Sequence, residues 1–448
     1  MPMPDDLAAS IETMRIIDTH SHMQSDRQWE TSGPQDVLVD LFGVYSRDDL
    51  IVAGATPEAV ARLLDGTDPD IAGRFAAIAD AWRAMQFTGY GEVVRIVAEQ
   101  VYGIEELSGP AAVRAQARLD ALRTAAGSLH LLRDRALLDH IQIDSGLQPP
   151  ERSAIAPDFY LYDLSWAGFG RVDLSAERHA LLAEMTGVTV TDLASLRRTM
   201  ETLFERYGPQ SIAVKSQHAY QRTLAWQERD DASAARALQA ILAGEPGTER
   251  GESPERLCLG DWCLARGAEL AAAYNLPVKI HTGYLAGTAT SASVGDGMPL
   301  QRLRAAHLTP LLTRYPETRF VLMHISYPYD PELLAIAKHF PNVWVDLCWA
   351  WSIDPVTSGE FVRRFIHAAP INKLFGFGDD CRTPTMAYGY AVQMRRWLTR
   401  TLEAEVADGA LTTAQAIDVA TRILRRNQQE CFDIAGRQRA MRETLPQA

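Results

Sequence analysis

Residues 15–23 read RIIDTHSHM, an apolar run that ends in two histidines separated by one residue. In an extended strand, side chains two positions apart point to the same side. His20 and His22 can therefore face one space together at the end of a strand. In a barrel of parallel strands, that space is the rim at the carboxyl ends, where barrel enzymes carry out their chemistry. The pair does not identify a metal, because imidazole suits zinc, manganese, iron and nickel alike.

Seven further short apolar runs follow this stretch and alternate with long helical patterns. Most are continuous rather than alternating, which is typical of strands buried on both faces. Eight strands close a barrel, so the sequence predicts an α/β fold, a (β/α)₈ TIM barrel. The predicted strands are 15–19, 137–143, 158–164, 211–215, 277–280, 319–323, 342–347 and 373–377. A doubly wound open sheet is the competing architecture, but its first strand usually leads into a glycine-rich turn, which this chain lacks.

One long insertion interrupts the predicted barrel, and a helical tail follows it. The predicted segments are 1–22 with strand one, 23–135 as a helical insertion, 136–384 as the remaining barrel and 385–448 as closing helices. The insertion begins at the catalytic rim, directly after His22. We therefore expect it to cover the mouth of the barrel, with Trp82–Tyr90 near the site, and to contribute substrate contacts.

The composition argues against several classes of partner. The 448 residues include 44 basic and 57 acidic side chains, a net charge of −13 that repels phosphate backbones and anionic lipids. No apolar run approaches the length that crosses a bilayer, and the first residues lack the basic start of a signal peptide. The five cysteines have no framework spacing. We expect a cytoplasmic homo-oligomer that acts on a small molecule and binds neither nucleic acid nor membrane.

Three further polar residues stand where predicted strands end. His281 ends the run VKIH, His324 ends FVLMH, and Asp380 follows LFGFGD. Any one of them could be an ordinary core or loop residue. Four histidines and an aspartate, all at strand ends, together indicate a divalent metal site. Asp379 is a rival of Asp380, and because neighbours on a strand point to opposite faces, only one is predicted to be a ligand, with Asp380 preferred.

These motifs resemble those of a known superfamily. IIDTHSHM, VKIHTGY, VLMHIS and LFGFGDDC are similar to the metal-binding strand ends of the amidohydrolase superfamily. More narrowly they resemble its amidohydrolase 2 branch, which includes nodulin-like hydrolases, decarboxylases and relatives of uronate isomerases. AVKSQHAYQRT is similar to the strand-four segment of the nodulin-like group. The resemblance extends over residues 15–381 and is weak within the insertion.

The resemblance implies one or two divalent ions, Zn²⁺ as first choice and Mn²⁺ as the alternative. The implied ligands are His20, His22, His281, His324, Asp380 and Lys215. In this scheme His324 either binds a second ion or polarises the substrate. A lysine at the end of strand four, here Lys215, can be carboxylated in the superfamily and bridge two ions. Left unmodified, it would hold a carboxylate or polarise a carbonyl group.

One arginine and several aromatic residues are candidate substrate contacts. Trp166, Tyr284 and Trp349 stand just past predicted strands, where they would wall a pocket and exclude water. Arg382 follows Asp380 closely and is a candidate for binding an anionic substrate group. Core packing for the aromatic residues and a surface position for Arg382 are the structural alternatives.

The residues together predict a metal-dependent hydrolase that attacks an amide, ester or lactone carbonyl of a small molecule with metal-activated water. In this mechanism Asp380 takes the proton, while His324 or Lys215 stabilises the developing oxyanion. The alternative is a uronate-isomerase-like aldose–ketose isomerase or a metal-dependent non-oxidative decarboxylase, which fold cannot separate from a hydrolase. A structural metal protein is disfavoured, because ligands at a barrel mouth leave a coordination position open.

Overall fold

The computed structural model describes residues 6–146, 150–249, 251–287 and 300–443. Within them, eight parallel strands form one sheet whose spatial order follows the chain. The strands are β1 Ile16–Ser21, β2 Leu138–Ile143, β3 Tyr160–Ser165, β4 Ser211–Ser216, β5 Val278–Ile280, β6 Phe320–Leu322, β7 Val343–Asp346 and β8 Leu374–Phe375. Each lies on one of the eight predicted runs, so the predicted α/β TIM barrel is confirmed.

Backbone hydrogen bonds join the end of the sheet to its beginning. The Thr19 N–H donates to the Phe377 carbonyl at 3.2 Å, and the Asp380 N–H donates to the His20 carbonyl at 3.0 Å. The segment after β8 therefore lies beside β1, although 360 residues separate Asp380 from His20. This seam places the two histidines of β1 next to the aspartates that follow β8.

Helices cover the outside of the barrel, and none within the described residues is both long and apolar enough to span a membrane. One helix precedes β1 and nine described helices follow it before β2: α1 Leu7–Thr13, α2 Asp26–Ser32, α3 Val37–Phe42, α4 Ser46–Val52, α5 Pro57–Leu63, α6 Ile71–Ala76, α7 Ala79–Met85, α8 Gly89–Gln100, α9 Gly109–Leu122 and α10 Ala125–Leu129. Those between β3 and β8 are α11 Ala167–Gly170, α12 Ala176–Thr186, α13 Leu193–Tyr207, α14 Asp231–Leu242, α15 Pro254–Ala273, α16 Thr309–Arg314, α17 Asp330–His339, α18 Ala350–Ile353 and α19 Pro355–Ala368. The closing helices are α20 Pro384–Ala407, α21 Thr413–Thr421, α22 Asn427–Cys431 and α23 Ile434–Glu443.

Local sequence signals set where these elements begin. Ser25 starts α2 with a capping box, in which its side chain and that of Gln28 bond each other's backbone N–H groups. Ser253 caps α15, and Pro254 occupies the first turn, where a missing N–H costs nothing. All six residues of β1 are buried, as expected for a strand with the barrel interior on one face and helices on the other.

The segment between β1 and β2 is anchored to the closing helices. Its α8 packs on α18 and α20. On α3, the buried carboxylate of Asp40 accepts hydrogen bonds from the hydroxyls of Thr385 on α20, at 2.8 Å, and Tyr102, at 2.5 Å. Burial raises the pKa of Asp40 to about 6, against the lowering effect of these two donors. A polar contact inside the protein thus joins the insertion to the first turn of α20.

Candidate metal centre

Side chains from several strand ends meet at the carboxyl rim of the barrel. His20 Nε2 lies 3.1 Å and His22 Nε2 lies 3.4 Å from the same carboxylate oxygen of Asp380. His324 Nε2 lies 3.8 Å from the other oxygen of Asp380 and 3.0 Å from His281 Nδ1. The structure therefore brings together the four histidines and the aspartate that the sequence singles out.

Backbone carbonyls hold three of these histidines in a defined tautomer. His22 Nδ1 lies 2.8 Å from the Asp144 carbonyl, His281 Nε2 2.8 Å from that of Tyr284, and His324 Nδ1 2.9 Å from that of Cys348. A carbonyl oxygen only accepts, so each of these nitrogens carries the proton. The other nitrogen of each ring keeps its lone pair and faces the cluster. Metal-binding histidines are oriented by partners of this kind.

The electrostatics of the cluster favour neutral imidazoles. His20 is fully buried, and neither ring nitrogen has a hydrogen-bond partner among the described residues. Burial, followed by the nearby Lys215 charge, lowers the pKa of His20 well below its usual value and that of His324 to about 3. Burial and then His324 lower the pKa of His281 in the same way. Uncharged histidines with free lone pairs beside a carboxylate fit a divalent cation.

The two adjacent aspartates after β8 have different surroundings. The Asp380 carboxylate faces the histidines, and burial raises its pKa to about 6 against the lowering effect of His22. The Asp379 carboxylate instead accepts the Cys381 N–H at 2.8 Å and lies beside buried Asp18. The geometry therefore favours Asp380 as the ligand, with Asp379 in a supporting position.

The cluster also contains a thiol that the sequence analysis did not identify. Possible ligand atoms of His324, Cys348 and Asp380 all lie within 4.8 Å of one another, as do those of His20, His22 and Asp380. Cys348 is fully buried, and burial raises the pKa of its thiol well above the usual range. A lone cysteine two residues after β7 gave no spacing signal that could have identified it.

Backbone conformation at this rim departs from ordinary preferences. Outside glycine, a positive φ is disfavoured and concentrates at functional sites. Eight such residues occur in the described part of the chain, and five of them follow β6, β7 or β8. These five are His324 (63°), Ile325 (45°), Ser326 (53°), Trp349 (63°) and Asp380 (49°). The strand ends that carry the cluster are thus its most strained segments.

Two lysines lie side by side in register on β4 and β5 but differ in their partners. Lys279 is held by the Asp163 carboxylate at 2.9 and 3.0 Å and by the Thr19 carbonyl at 2.7 Å. Lys215 is equally buried, yet its Nζ has no hydrogen-bond partner in the described residues. An ammonium group left unpaired in the interior is costly. Lys215 therefore needs a partner that the described residues do not supply.

Two cavities open beside the cluster and share part of their walls. The α2 chamber, of about 390 Å³, is lined by residues that include Ser25, Asp26 and Glu151. The α12 chamber, of about 540 Å³, is lined by residues that include Tyr45, Arg47, Gly168, Arg171 and Arg178. Residues that line both are His22, Asp144, Ser145 and Arg382. His22 thus connects the cluster to both chambers.

The predicted substrate contacts have different outcomes. Arg382 lies in the shared wall and is exposed. The Trp349 ring lies 5.4 Å from His324 and 5.8 Å from Tyr284, between centroids, so both aromatic residues stand beside the cluster. Trp166 does not, and this prediction needs correction. Trp166 is 1% exposed, its indole N–H bonds the Cys263 carbonyl, and its ring packs on Phe169 in the core.

Two residues near the cluster, Tyr45 and Asp144, were not identified from the sequence. Tyr45, on the segment between β1 and β2, donates its hydroxyl proton to the Asp380 carbonyl and stacks on Trp349 with ring centroids 4.6 Å apart. Tyr90 lies next to Tyr45 at 5.6 Å, whereas Trp82 packs on Phe42, away from these rings. Asp144 follows β2 as the other polar residues follow their strands, a position that could have identified it.

Comparison with known proteins places the chain in context. A family model described as amidohydrolase matches residues 177–408, about half of the chain. Protein fluG of Emericella nidulans is 28% identical over 240 residues, which cover 50% of this chain but only 26% of that protein. The chain thus corresponds to about a quarter of this relative's length.

Two solved structures share the fold. Glucuronate isomerase from Caulobacter crescentus has a TM-score of 0.74 at 20% identity, over 95% of this chain and 92% of that one. A candidate metal-dependent hydrolase from Lactobacillus casei has a TM-score of 0.62 at 16% identity, over 99% of this chain and 100% of that one. At such identities the likeness concerns the fold alone.

Proposed function

The chain belongs to the amidohydrolase family, and on that premise we propose that it is a metal-dependent hydrolase that cleaves an amide, ester or lactone bond of a small molecule. The observation that supports this most is the convergence of His20, His22 and His324 on the Asp380 carboxylate at the rim of the barrel, with His281 against His324. His22 lines both chambers, so a substrate in either of them lies beside a side chain of the cluster.

In this proposal His20, His22 and Asp380 hold the first divalent ion, and His281 and His324 complete the donor set. Nitrogen and carboxylate donors suit Zn²⁺, with Mn²⁺ as the alternative. Such an ion, when bound, makes water acidic enough to act as a nucleophile near neutral pH. The unpaired Nζ of Lys215 leaves room for a second ion if that lysine is carboxylated.

Asp380 is the proposed proton acceptor. Its carboxylate lies within 3.1 Å of His20 and 3.4 Å of His22, and burial raises its pKa to about 6. A carboxylate beside the attacking water can take its proton and later give it to the leaving group, acting first as general base and then as general acid. The hydrogen bond from Tyr45 to the Asp380 carbonyl holds this residue in position.

Lys215 is the proposed partner of the oxyanion that develops on the substrate carbonyl, with His324 as the second candidate. The Lys215 ammonium is fully buried and unpaired within the described residues, and its charge lowers the pKa of both His20 and His324. A cation that is already desolvated stabilises developing negative charge without further reorganisation.

The proposal is tested by metal content and turnover measured on the same preparations. We expect metal-free protein to be inactive and to regain hydrolysis of amide, ester or lactone substrates when Zn²⁺ or Mn²⁺ is added. His22→Ala should lose metal, whereas the exposed His130→Ala should behave as the wild type, because His130 lies outside the cluster.

Three results would contradict the proposal. They are a protein that never gains metal, hydrolysis that survives metal removal, and turnover confined to uronate sugars or carboxylated aromatic acids. The last would favour the isomerase or decarboxylase alternative over hydrolysis.

A further inference from the structure

The two chambers beside the cluster carry charges of opposite sign. In the α2 chamber, Asp26 and Glu151 are the charged residues apart from the shared wall. In the α12 chamber, the corresponding residues are Arg47, Arg171 and Arg178. A cavity whose two ends differ in sign favours a ligand with charges in the complementary order.

Asp144, in the shared wall, provides an independent sign of a missing ligand group. It is 2% exposed, and one of its carboxylate oxygens accepts the Gly146 N–H at 3.1 Å. The other oxygen, Oδ2, is buried and has no hydrogen-bond partner among the described residues. Burying a carboxylate oxygen without a donor costs free energy. The backbone carbonyl of Asp144 bonds His22, so this unsatisfied carboxylate is fixed beside the cluster.

In the α12 chamber, the partly buried Arg178 guanidinium has no ion-pair or hydrogen-bond partner in the described residues, and the guanidinium of Arg382, in the shared wall, is likewise unpaired there but exposed. Arg171 is engaged with Asp173 at 2.8 Å, and Arg47 lies 3.7 Å from Asp48. With 57 acidic against 44 basic side chains, the chain has no shortage of acidic partners. An unpaired, partly buried arginine in a cavity wall therefore indicates an anionic ligand.

The local backbone makes room for the Arg178 guanidinium. A Cβ added to Gly168 would lie 3.2 Å from its Nη2 and 3.3 Å from its Nε, closer than ordinary contact. The guanidinium thus lies over the Gly168 backbone in the wall of the α12 chamber. A side chain at this position would require the guanidinium to shift slightly.

We propose that the site takes a dipeptide-like zwitterion, with its ammonium group against Asp144 in the α2 chamber and its carboxylate against Arg178 in the α12 chamber. Arg382, in the shared wall, is the second guanidinium available to the carboxylate. The amide bond between the two charges then lies beside His22 and the cluster. Two extended residues span about 7 Å, and both chambers fall in the size range of small-molecule sites.

This inference rests on the proposed hydrolase function. Water is the only co-reactant that cleavage of the amide bond requires. The water oxygen bonds to the carbonyl carbon, the carbon–nitrogen bond breaks, and the leaving nitrogen takes a proton. The products are two amino acids, and no oxidant or reductant is consumed. Asp380 moves the proton, while Asp144 and Arg178 orient the two ends.

The test uses three ligands that bind but cannot be cleaved. They are the ketomethylene isostere of a dipeptide, its N-acetyl derivative without the ammonium group, and its C-terminal carboxamide without the carboxylate. Binding to metal-loaded protein is measured by calorimetry. A lost hydrogen bond to a charged group weakens binding by about 10- to 100-fold, so we expect wild-type protein to bind the zwitterion that much more tightly than either derivative.

Two variants assign each charge to its residue. Asp144→Asn should weaken binding of the zwitterion by about 10- to 100-fold while leaving the N-acetyl derivative unaffected. Arg178→Gln should likewise weaken binding of the zwitterion by about 10- to 100-fold, while leaving binding of the C-terminal carboxamide unaffected. Glu403→Gln and Arg396→Gln, at exposed positions of α20, are the matched controls. Thermal unfolding and metal content check that each variant is folded and loaded.

Equal binding of all three ligands to wild-type protein would overturn the inference without any variant. So would losses in Asp144→Asn that are the same for every ligand. If a neutral amide is hydrolysed with metal dependence while charge has no effect, the inference fails and the proposed function stands. If the zwitterion binds as expected but the metal-loaded protein cleaves no amide, ester or lactone, the proposed hydrolase fails and the zwitterion site stands.

Discussion

Replacing Tyr45 by phenylalanine tests whether the segment after β1 stabilises the metal centre through one hydrogen bond. The Tyr45 hydroxyl donates to the Asp380 carbonyl, the one hydrogen bond recorded for that oxygen within the described residues. Tyr90 is a matched control. Its ring is buried and stacked on Trp349, which the partly buried Tyr45 ring also contacts, but its hydroxyl has no partner in the described part of the chain.

The expected size of the effect follows from what each substitution removes. Tyr45→Phe leaves a buried carbonyl without a donor, which costs about 1–3 kcal/mol. The entropy of unfolding is about 2.1 cal/mol/K per residue, or about 0.9 kcal/mol/K for 448 residues, so the loss lowers Tm by about 1–3 °C. Tyr90→Phe removes an unpaired hydroxyl and should leave stability unchanged or slightly higher.

Differential scanning calorimetry of both variants beside the wild type measures the difference, and elemental analysis shows whether metal is retained. Metal content should not change, because neither substitution removes a side chain that is proposed to bind metal. Equal losses in the two variants would refute the reasoning, since they would mean that the loss does not come from the hydrogen bond to Asp380. A Tyr45→Phe protein as stable as the wild type would do so as well.

Two further predictions concern buried carboxylates. Asp380→Asn should reduce turnover by about 10²–10⁴-fold, while Asp379→Asn should retain most of the wild-type turnover. If steady-state rates instead fall in Asp379→Asn and are retained in Asp380→Asn, Asp379 is the functional residue. The pKa of Asp40 is about 6 in the folded protein and 3.8 in its reference state. The folded protein therefore binds the proton of the Asp40 carboxyl group more tightly than the unfolded chain does, and its stability increases as the pH falls. Urea unfolding at pH 7 and pH 5 should show the wild type gaining about 1 kcal/mol relative to Asp40→Asn, and parallel changes in the two proteins would contradict the assignment.

The sequence predicted the barrel well because strands buried on both faces are continuous apolar runs. All eight predicted strands overlap observed ones, and the polar residues at their ends lie together because parallel strands end at one rim. Contacts between distant segments left no such pattern. The bond from Tyr45 to Asp380 joins residues 335 positions apart, and nothing near Tyr45 in the sequence indicates it.

Two tryptophans show why a position past a strand does not determine where a side chain points. Trp166 leaves β3 with φ −116° and ψ −1°, and its ring lies among the surrounding helices. Trp349 follows β7 in the left-handed region with φ 63°, and its ring lies against His324. The backbone turn decides between core and site, and local composition does not reveal a left-handed turn at a tryptophan.

The seam between β8 and β1 has a consequence for how the protein is made. His20 and Asp380 are 360 residues apart, so during synthesis the first histidines leave the ribosome long before the carboxylate that completes their cluster. At about 5–20 residues per second, that interval is of the order of 20–70 seconds. During this time His20 and His22 are exposed without Asp380, and any ion they capture is held by an incomplete set of donors. The seam therefore cannot close, and the set of donors cannot be complete, until Asp380 has been synthesised.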